Sequence, residues 1–294
     1  MVNFSSLARK TYRPVRRYRK WRMGCYGAVF LLIVWSVAIE PSLLYERVLV
    51  LNDTGWRGAP LKVAFVADLH VGAPHVGLED IKALVERINA ARPDLILLGG
   101  DFAVAFVVGD KQIPPAGIAA RLGRLSAPLG VFAVLGNHDW WTDGETVREA
   151  LGANGIRVLE NQAVVLREGL DRFSLIGVGD DMTGHARPLA AFAAAPADLP
   201  ALVLMHDPAN HPDLVRPAVL VLAGHTHAGQ VRLPFVGALV VPGRFSRMRA
   251  YGLMRDTGSP LYVTSGVGTS VLPVRLFAPP EFVVITLSGS APVP

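Results

Sequence analysis

The sequence places Asp68 and His70, Asp101, Asn137 and His138, His206, and His225 and His227 directly after runs of apolar residues. Five of the eight histidines fall at such run ends. A lone histidine after a strand is more often a satisfied core residue than a ligand, but correlated occurrences reverse that expectation. Asp68, His70, Asp101, Asn137, His206, His225 and His227 offer oxygen and nitrogen donors without sulfur, a set suited to Mn2+, Fe or Zn2+ rather than to Ca2+ or a thiolate zinc site. Seven donors exceed what one ion uses. Shared between two divalent ions, with one carboxylate bridging, they leave positions for water and substrate oxygens. Gly99, Gly100, Gly136 and Gly224 stand beside these donors and permit tight turns and close backbone approach.

The elements that must position these residues are legible from the apolar runs. "LKVAFVADLH" reads as a buried strand ending in two polar groups, and in "LEDIKALVERINA" the residues Ile81, Leu84, Val85 and Ile88 mark one helical face. "DLILLGGDF" and "GVFAVLGNHDW" are two further strands, and "TDGETVREAL" a helix. The second half carries strand-like runs with little helix between them: "RFSLIGVGD", "ALVLMHDP", "AVLVLAGHTH", "QVRLPF", "GALVVPG", "SPLYVTSG" and "EFVVITL". The pattern predicts an α/β fold with two sheets and helices outside, the donors gathered at the C-terminal ends of strands. One domain is expected from 45 to 287, followed by a flexible tail over 288–294.

Of the 29 basic residues, Arg9, Lys10, Arg13, Arg16, Arg17, Arg19, Lys20 and Arg22 precede the first acid, Glu40, and the 21 that remain face 24 acidic ones. The net charge of +5 is therefore local and does not indicate a nucleic-acid binder. Residues 23–39 carry no charge; as a helix they would extend about 26 Å, against about 30 Å for a bilayer core. Trp21 and Tyr45 flank the stretch as interfacial aromatics. This predicts a basic cytoplasmic arm over 1–22 and a transmembrane signal anchor over 23–39, single-pass in an inner or plasma membrane. Everything after Glu40 then lies on the extracytoplasmic side. A cleaved signal peptide is the rival reading, with Ser36 and Ala38 as the small residues before a cut. Cys25, the only cysteine, falls in the apolar segment, which leaves the domain without disulfides or thiolate metal sites.

Taken together, Asp68-Leu69-His70, Gly100-Asp101, Gly136-Asn137-His138-Asp139, His206 and Gly224-His225-Thr226-His227 resemble the five blocks of the calcineurin-like metallophosphoesterases, in the same order. The spacings are similar too: 33 residues from Asp68 to Asp101, 36 to Asn137, 69 to His206 and 19 to His225. "GQVRLPF" and "PPEFVVITL" resemble the membrane-associated bacterial branch related to the YkuE phosphoesterase. The resemblance implies a four-layer α/β/β/α sandwich preceded by the transmembrane helix. It implies Asp68, His70 and His227 as ligands of one ion, Asn137, His206 and His225 as ligands of the other, and Asp101 as the bridge. His138 would bind neither and would stabilise or protonate the leaving oxygen, while a metal-bridging hydroxide attacks phosphorus in line. The chain departs from the protein-phosphatase pattern Gly-Asp-x-x-Asp-Arg-Gly, with Val104 at the second aspartate and Asp139 where glutamate is usual, which argues against a phosphoprotein substrate. Asp139 would orient His138 or cap the next helix.

"DFAVAFVVGD" and the pair Trp140 and Trp141 would either pack a strand end and a helix start or line a groove for acyl chains. Arg232 and Arg275 are candidate phosphate or head-group contacts or plain surface charges; His75, His185 and His211 are expected on loops, His211 being the outside candidate for supporting a ligand. The expected function is that of a membrane-anchored dinuclear phosphoesterase acting on a phosphodiester or phosphomonoester of a lipid or cell-envelope molecule. One alternative is a pyrophosphatase of a nucleotide-linked glycolipid precursor resembling UDP-diacylglucosamine, which extracytoplasmic placement disfavours. The other is a non-catalytic, membrane-tethered metal-binding module, which the complete ligand set disfavours.

Overall fold

The computed structural model describes residues 15–52, 55–244, 247–255 and 258–289. The first sheet contains β1 (Tyr45–Leu51), β2 (Leu61–Val66), β3 (Leu95–Leu98), β4 (Val131–Ala133), β5 (Arg157–Val158) and β14 (Glu281–Leu287), in the order β1-β14-β2-β3-β4-β5. The second contains β6 (Gln162–Leu166), β7 (Phe173–Val178), β8 (Ala201–Met205), β9 (Leu220–Ala223), β12 (Gly252–Met254) and β13 (Leu261–Val263), in the order β12-β13-β9-β8-β7-β6. In β2, alternation sends Val63 and Phe65 into the apolar layer between the sheets and Ala64 and Val66 toward helices α2 (Leu78–Ala90), α3 (Pro115–Leu122) and α4 (Asn137–Ala153). Ile176, Val203, Met205 and Val221 cover the far face of the second sheet together with Ala191 and Phe192 of α5 (Pro188–Ala193). Both faces of the central strands are buried, which is why their sequences are nearly continuous apolar runs. The architecture is the expected four-layer α/β/β/α sandwich, with a thin outer layer on the second sheet.

The sequence left open which sheet each run joins, and some elements differ in extent from the expectation. "EFVVITL" returns to the first sheet as β14, between β1 and β2. "QVRLPF" and "GALVVPG" form only a short ribbon, β10 (Arg232–Leu233) with β11 (Gly237–Ala238). Helix α4 begins at Asn137, ahead of "TDGETVREAL"; extended backbone at Asp143 (φ −173°, ψ 87°) separates its first turns, and the Asp143 carboxylate caps the rest by accepting from the Thr146 N–H and hydroxyl.

α1 (Val15–Val34) continues through a π-helical turn, Trp35–Ile39, and a short 3-10 turn, Glu40–Ser42. The stretch Tyr18–Ser42 has a mean hydropathy of 1.8 and is long and apolar enough to cross a membrane. Its large side chains, Tyr26, Phe30 and Leu31 among them, are exposed rather than packed on the domain. Most of the expected basic arm, residues 1–14, lies outside the described residues, as does 290–294 of the expected tail. The register fixes where this helix joins the domain. β14 runs antiparallel to β2 (Val283 opposite Phe65, Leu287 opposite Leu61) and β1 parallel to β14 (Tyr45 opposite Glu281). Tyr45 therefore starts at the pole where β2 ends in Asp68.

Candidate metal centre

Every predicted donor follows a strand. β2 leads to Asp68 and His70, β3 to Asp101, β4 to Asn137 and His138, β8 to His206, and β9 to His225 and His227. Asp68, His70, Asp101, His225 and His227 all hold positive φ, between 44° and 69°, a region costly for side chains of this kind and one that clusters at functional sites. The turn is what swings consecutive side chains inward. At Gly136 a Cβ would lie 2.3 Å from Asp101 Oδ1 and 2.7 Å from His206 Cε1, so the close backbone approach inferred for this glycine is a steric requirement.

The fold brings the seven predicted ligands together. Asp68, His70, Asp101 and His227 offer donor atoms all within 4.8 Å of one another, and Asp101, His206 and His225 form a second such group, with Asp101 common to both. His70 Nε2 lies 3.0 Å from His227 Nε2 and 3.5 Å from Asp101 Oδ2. His206 Nε2 lies 3.3 Å from Asp101 Oδ2, 3.1 Å from Asn137 Oδ1 and 3.2 Å from His225 Nδ1. His206 donates from Nδ1 to the Gly99 carbonyl at 2.7 Å, which frees Nε2 as the inward-facing atom.

Burial governs the electrostatics. It pushes the His70 and His225 imidazoles down to about 3 and lowers His227 strongly, so all three are neutral, the form that ligates metals. Burial also pushes Asp68 up to about 7, against the pull of His206. Burial alone would raise Asp101 and lower His206, but their mutual contact reverses both, holding the carboxylate well below and the imidazole well above its usual range. Asp68 Oδ2, His70 Nδ1, His225 Nε2 and His227 Nδ1 are buried without hydrogen-bond partners. The carboxylate and imidazole atoms that converge within 4.8 Å of one another, three of the imidazoles neutral and without a hydrogen-bond partner on their other nitrogen, fit a divalent metal centre.

His138 lines a groove of about 590 Å³ above the cluster, beside Phe106, Trp141, Val240, Val271 and Leu272. Its ring meets His70 edge-on at 4.5 Å and Trp141 at 5.0 Å, and Nε2 lies 3.4 Å from the Ser270 hydroxyl. Of the two tryptophans only Trp141 lines the groove; Trp140 stacks on His185 at 3.7 Å. Asp139 caps the first turn of α4 rather than the "TDGETVREAL" stretch, which Asp143 caps: it accepts the Gly136 N–H at 2.9 Å, and it also accepts the N–H groups of Asp101, Phe102 and Ala103. It thus clamps one donor loop against the next.

Arg275 is neither a surface charge nor a head-group contact. It is fully buried and donates to the carbonyls of Ala278, Ser265 and Gly268, in the loop where Gly266 and Gly268 press on Asp68 and His70. Arg232 is half-buried over the Tyr251 ring, and His211 meets the Ser259 carbonyl at 3.0 Å, away from the cluster. Sequence reasoning missed Asp207, whose Oδ2 lies 4.0 Å from His225 Nε2; its adjacency to His206 was the available signal.

The calcineurin-like phosphoesterase family matches residues 61–229. Phosphodiesterase YaeI of Escherichia coli (strain K12) is 37% identical over 251 residues, covering 84% of this chain and 88% of that protein. The uncharacterized metallophosphoesterase YkuE of Bacillus subtilis (strain 168) is 30% identical over 233 residues, covering 78% and 79%. A transmembrane protein with metallophosphoesterase domain from Danio rerio is 31% identical over 243 residues, covering 77% of this chain and 53% of that protein. A match that covers more than half of the chain and all five donor segments makes this chain a member of the calcineurin-like metallophosphoesterases, a family of metal-dependent phosphoric ester hydrolases.

Proposed function

We propose that the chain is a membrane-anchored, dinuclear-metal phosphodiesterase or phosphomonoesterase with its domain on the extracytoplasmic side, acting on a lipid or cell-envelope molecule. The observation that carries this reading is the pair of donor groups sharing Asp101 at the floor of an apolar groove. Asp68, His70 and His227 would hold one ion and Asn137, His206 and His225 the other, with Asp101 between them and Mn2+, Fe or Zn2+ as the metals. Bound divalent cations supply the charge that polarises the phosphoryl group and makes water a nucleophile near neutral pH.

The chain's own residues do the rest. Positive-φ turns hold the donors rigidly at strand ends, and the groove walls exclude bulk water from the ester. Hydrolysis forms a bond from water oxygen to phosphorus and breaks the bond from phosphorus to the leaving oxygen, which takes up a proton. His138 holds that proton at Nε2, the atom directed at the groove-lining Ser270 hydroxyl. The anchor reading is supported by the exposed apolar helix and by relatives named as transmembrane proteins.

Full-length protein loaded with Mn2+ is expected to cleave a nitrophenyl phosphodiester, and His138→Asn to lower kcat by about 100-fold or more with metal content unchanged. Absence of metal-dependent hydrolysis over a broad panel of phosphate esters would overturn the enzymatic reading. Release of the chain from membranes by alkaline carbonate would overturn the anchor, and a C-terminal reporter active in the cytoplasm would overturn the sidedness.

A further inference from the structure

Phe106, Val271 and Leu272 line the groove with their side chains open to solvent, and Val108 and Phe277 are exposed on the same loops beside them, Phe106 at 77% and Phe277 at 56% of full exposure. Phe106, Val271 and Phe277 do so from positive φ (59°, 62° and 54°), a conformation that bulky and β-branched residues rarely adopt. These loops are braced. The Val108 N–H donates to the Val271 carbonyl at 2.9 Å, and Gln230 ties both Ser270 N–H and the Leu272 carbonyl. Contiguous large apolar side chains held outward by a braced, strained backbone mark a surface that something covers.

The same loop receives the end of the apolar helix. The Arg275 N–H donates to the Ser36 carbonyl at 2.8 Å, and the Ala278 N–H to Glu40 Oε1 at 2.6 Å. Trp35, Val37 and Ile39 are exposed on that helix end, and Phe277, Leu272 and Val271 are exposed on the loop it meets. The strand register sets the helix end and the donor cluster at one pole of the sandwich. Wherever the helix leaves a bilayer, this pole meets the lipid first.

We propose that the rim formed by Phe106, Val108, Val271, Leu272 and Phe277 is a second membrane contact, embedded in the leaflet from which the domain emerges, so that the groove opens onto lipid rather than onto water. This rests on the reading that α1 spans the membrane. It deepens the proposed function by naming the route of the substrate: a phosphoester lipid enters laterally, its chains along Phe106, Trp141, Leu272 and Val274, its phosphate toward the cluster beside His138.

The test uses the full chain with Cys25→Ser, carrying one environment-sensitive fluorophore at Val108→Cys or Phe277→Cys. The control is Leu170→Cys, fully exposed at the opposite pole, where Asp171 accepts the Ala59 N–H just ahead of β2. In vesicles of phosphatidylcholine and phosphatidylglycerol with brominated acyl chains, labels at 108 and 277 should be quenched at a depth of about 5–10 Å below the headgroup boundary, and the label at 170 should not. Labels at 108 and 277 that stay as accessible as the one at 170 overturn the proposal, and leave a soluble protein or a second copy as the cover. Hydrogen exchange of the unsubstituted chain guards against misfolded variants: amides at 106–110 and 271–277 should exchange more slowly in nanodiscs than in an amphipathic polymer, and equal rates also overturn it. Hydrolysis over a broad panel of phosphate esters, measured with the metal-loaded unsubstituted chain in the amphipathic polymer, separates the two claims. Hydrolysis without quenching removes the lipid contact alone, and quenching without hydrolysis removes the enzymatic reading alone.

Discussion

His225 enters the cluster through Nδ1 and turns its buried Nε2 toward the Asp207 carboxylate, 4.0 Å away. A carboxylate behind a ligating imidazole fixes its tautomer and orientation, and loss of such a partner weakens metal binding by about 10–100-fold. Asp207→Asn keeps the acceptor for the Ala209 N–H, so it is expected to weaken Mn2+ binding in calorimetric titration without unfolding the chain. Unchanged affinity would show that His225 orients itself. Glu160 offers a separate measurement. Burial pushes its carboxyl up to about 7 although one oxygen accepts the Leu135 N–H; the other is buried without a partner. Its unfolded value lies near the ordinary carboxylate range, so the unfolded state releases its proton first as pH rises. In metal-stripped protein, stability attributable to Glu160 is therefore full below about pH 4.5 and falls toward pH 7, by about 1.4 kcal/mol per unit at most. Glu160→Gln should match wild type at pH 4 and melt higher at pH 8; equal melting at both pH values would contradict the assignment.

Among the elements, the first turn of α4 carries the most constraint. Asn137 and His138 project from it while Asp139 gathers four backbone N–H groups from two loops. Asp139→Ala strands buried donors at a cost of about 1–3 kcal/mol for each group left unpaired. It should lower the melting temperature markedly and disperse Asp101 from Asn137, seen as lost metal stoichiometry at temperatures where the variant remains folded. Native metal content in that variant would reduce Asp139 to a helix cap. The helical turns and donor-bearing strands were legible because each carries a local signal: an apolar run followed by a polar turn, or the four-residue face of α2. What the sequence concealed is non-local. β14 has the same composition as its neighbours in the chain, and only pairing with β1 and β2 assigns it to the first sheet. β1 eluded the apolar-run criterion because most of it is exposed, and Arg275 looked like a surface charge because nothing local announces the three carbonyls that enclose it. The seven donors could be read as a set, whereas the supports behind them, Asp207, Gly266 and Gly268, are meaningful only once the loops meet.

Across the whole molecule, the donors divide between the two sheets. Asp68, His70, Asp101 and Asn137 follow strands of the first, and His206, His225 and His227 follow strands of the second. Each donor group contains members of both, His227 with Asp68, His70 and Asp101, and His206 and His225 with Asp101. An ion held by either group would tie the sheets together at one pole, while the interior between the sheets is held by Phe65, Leu97, Leu204 and Leu222. Unfolding would have to release the ions, since no single segment retains a full group. Binding to the folded state alone adds about 2.7 kcal/mol at a free-ion concentration of 100 Kd, which for a domain of this size raises the melting temperature by roughly 5–10 °C. Calorimetry of the full chain with and without a chelator should show this rise with Mn2+, and His206→Ala should abolish most of it because that residue touches Asp101, Asn137 and His225 at once. A melting temperature indifferent to both chelator and substitution would mean that the two sheets close without help from the ions, and the cluster would then be a site assembled by the fold rather than a part of what holds it together.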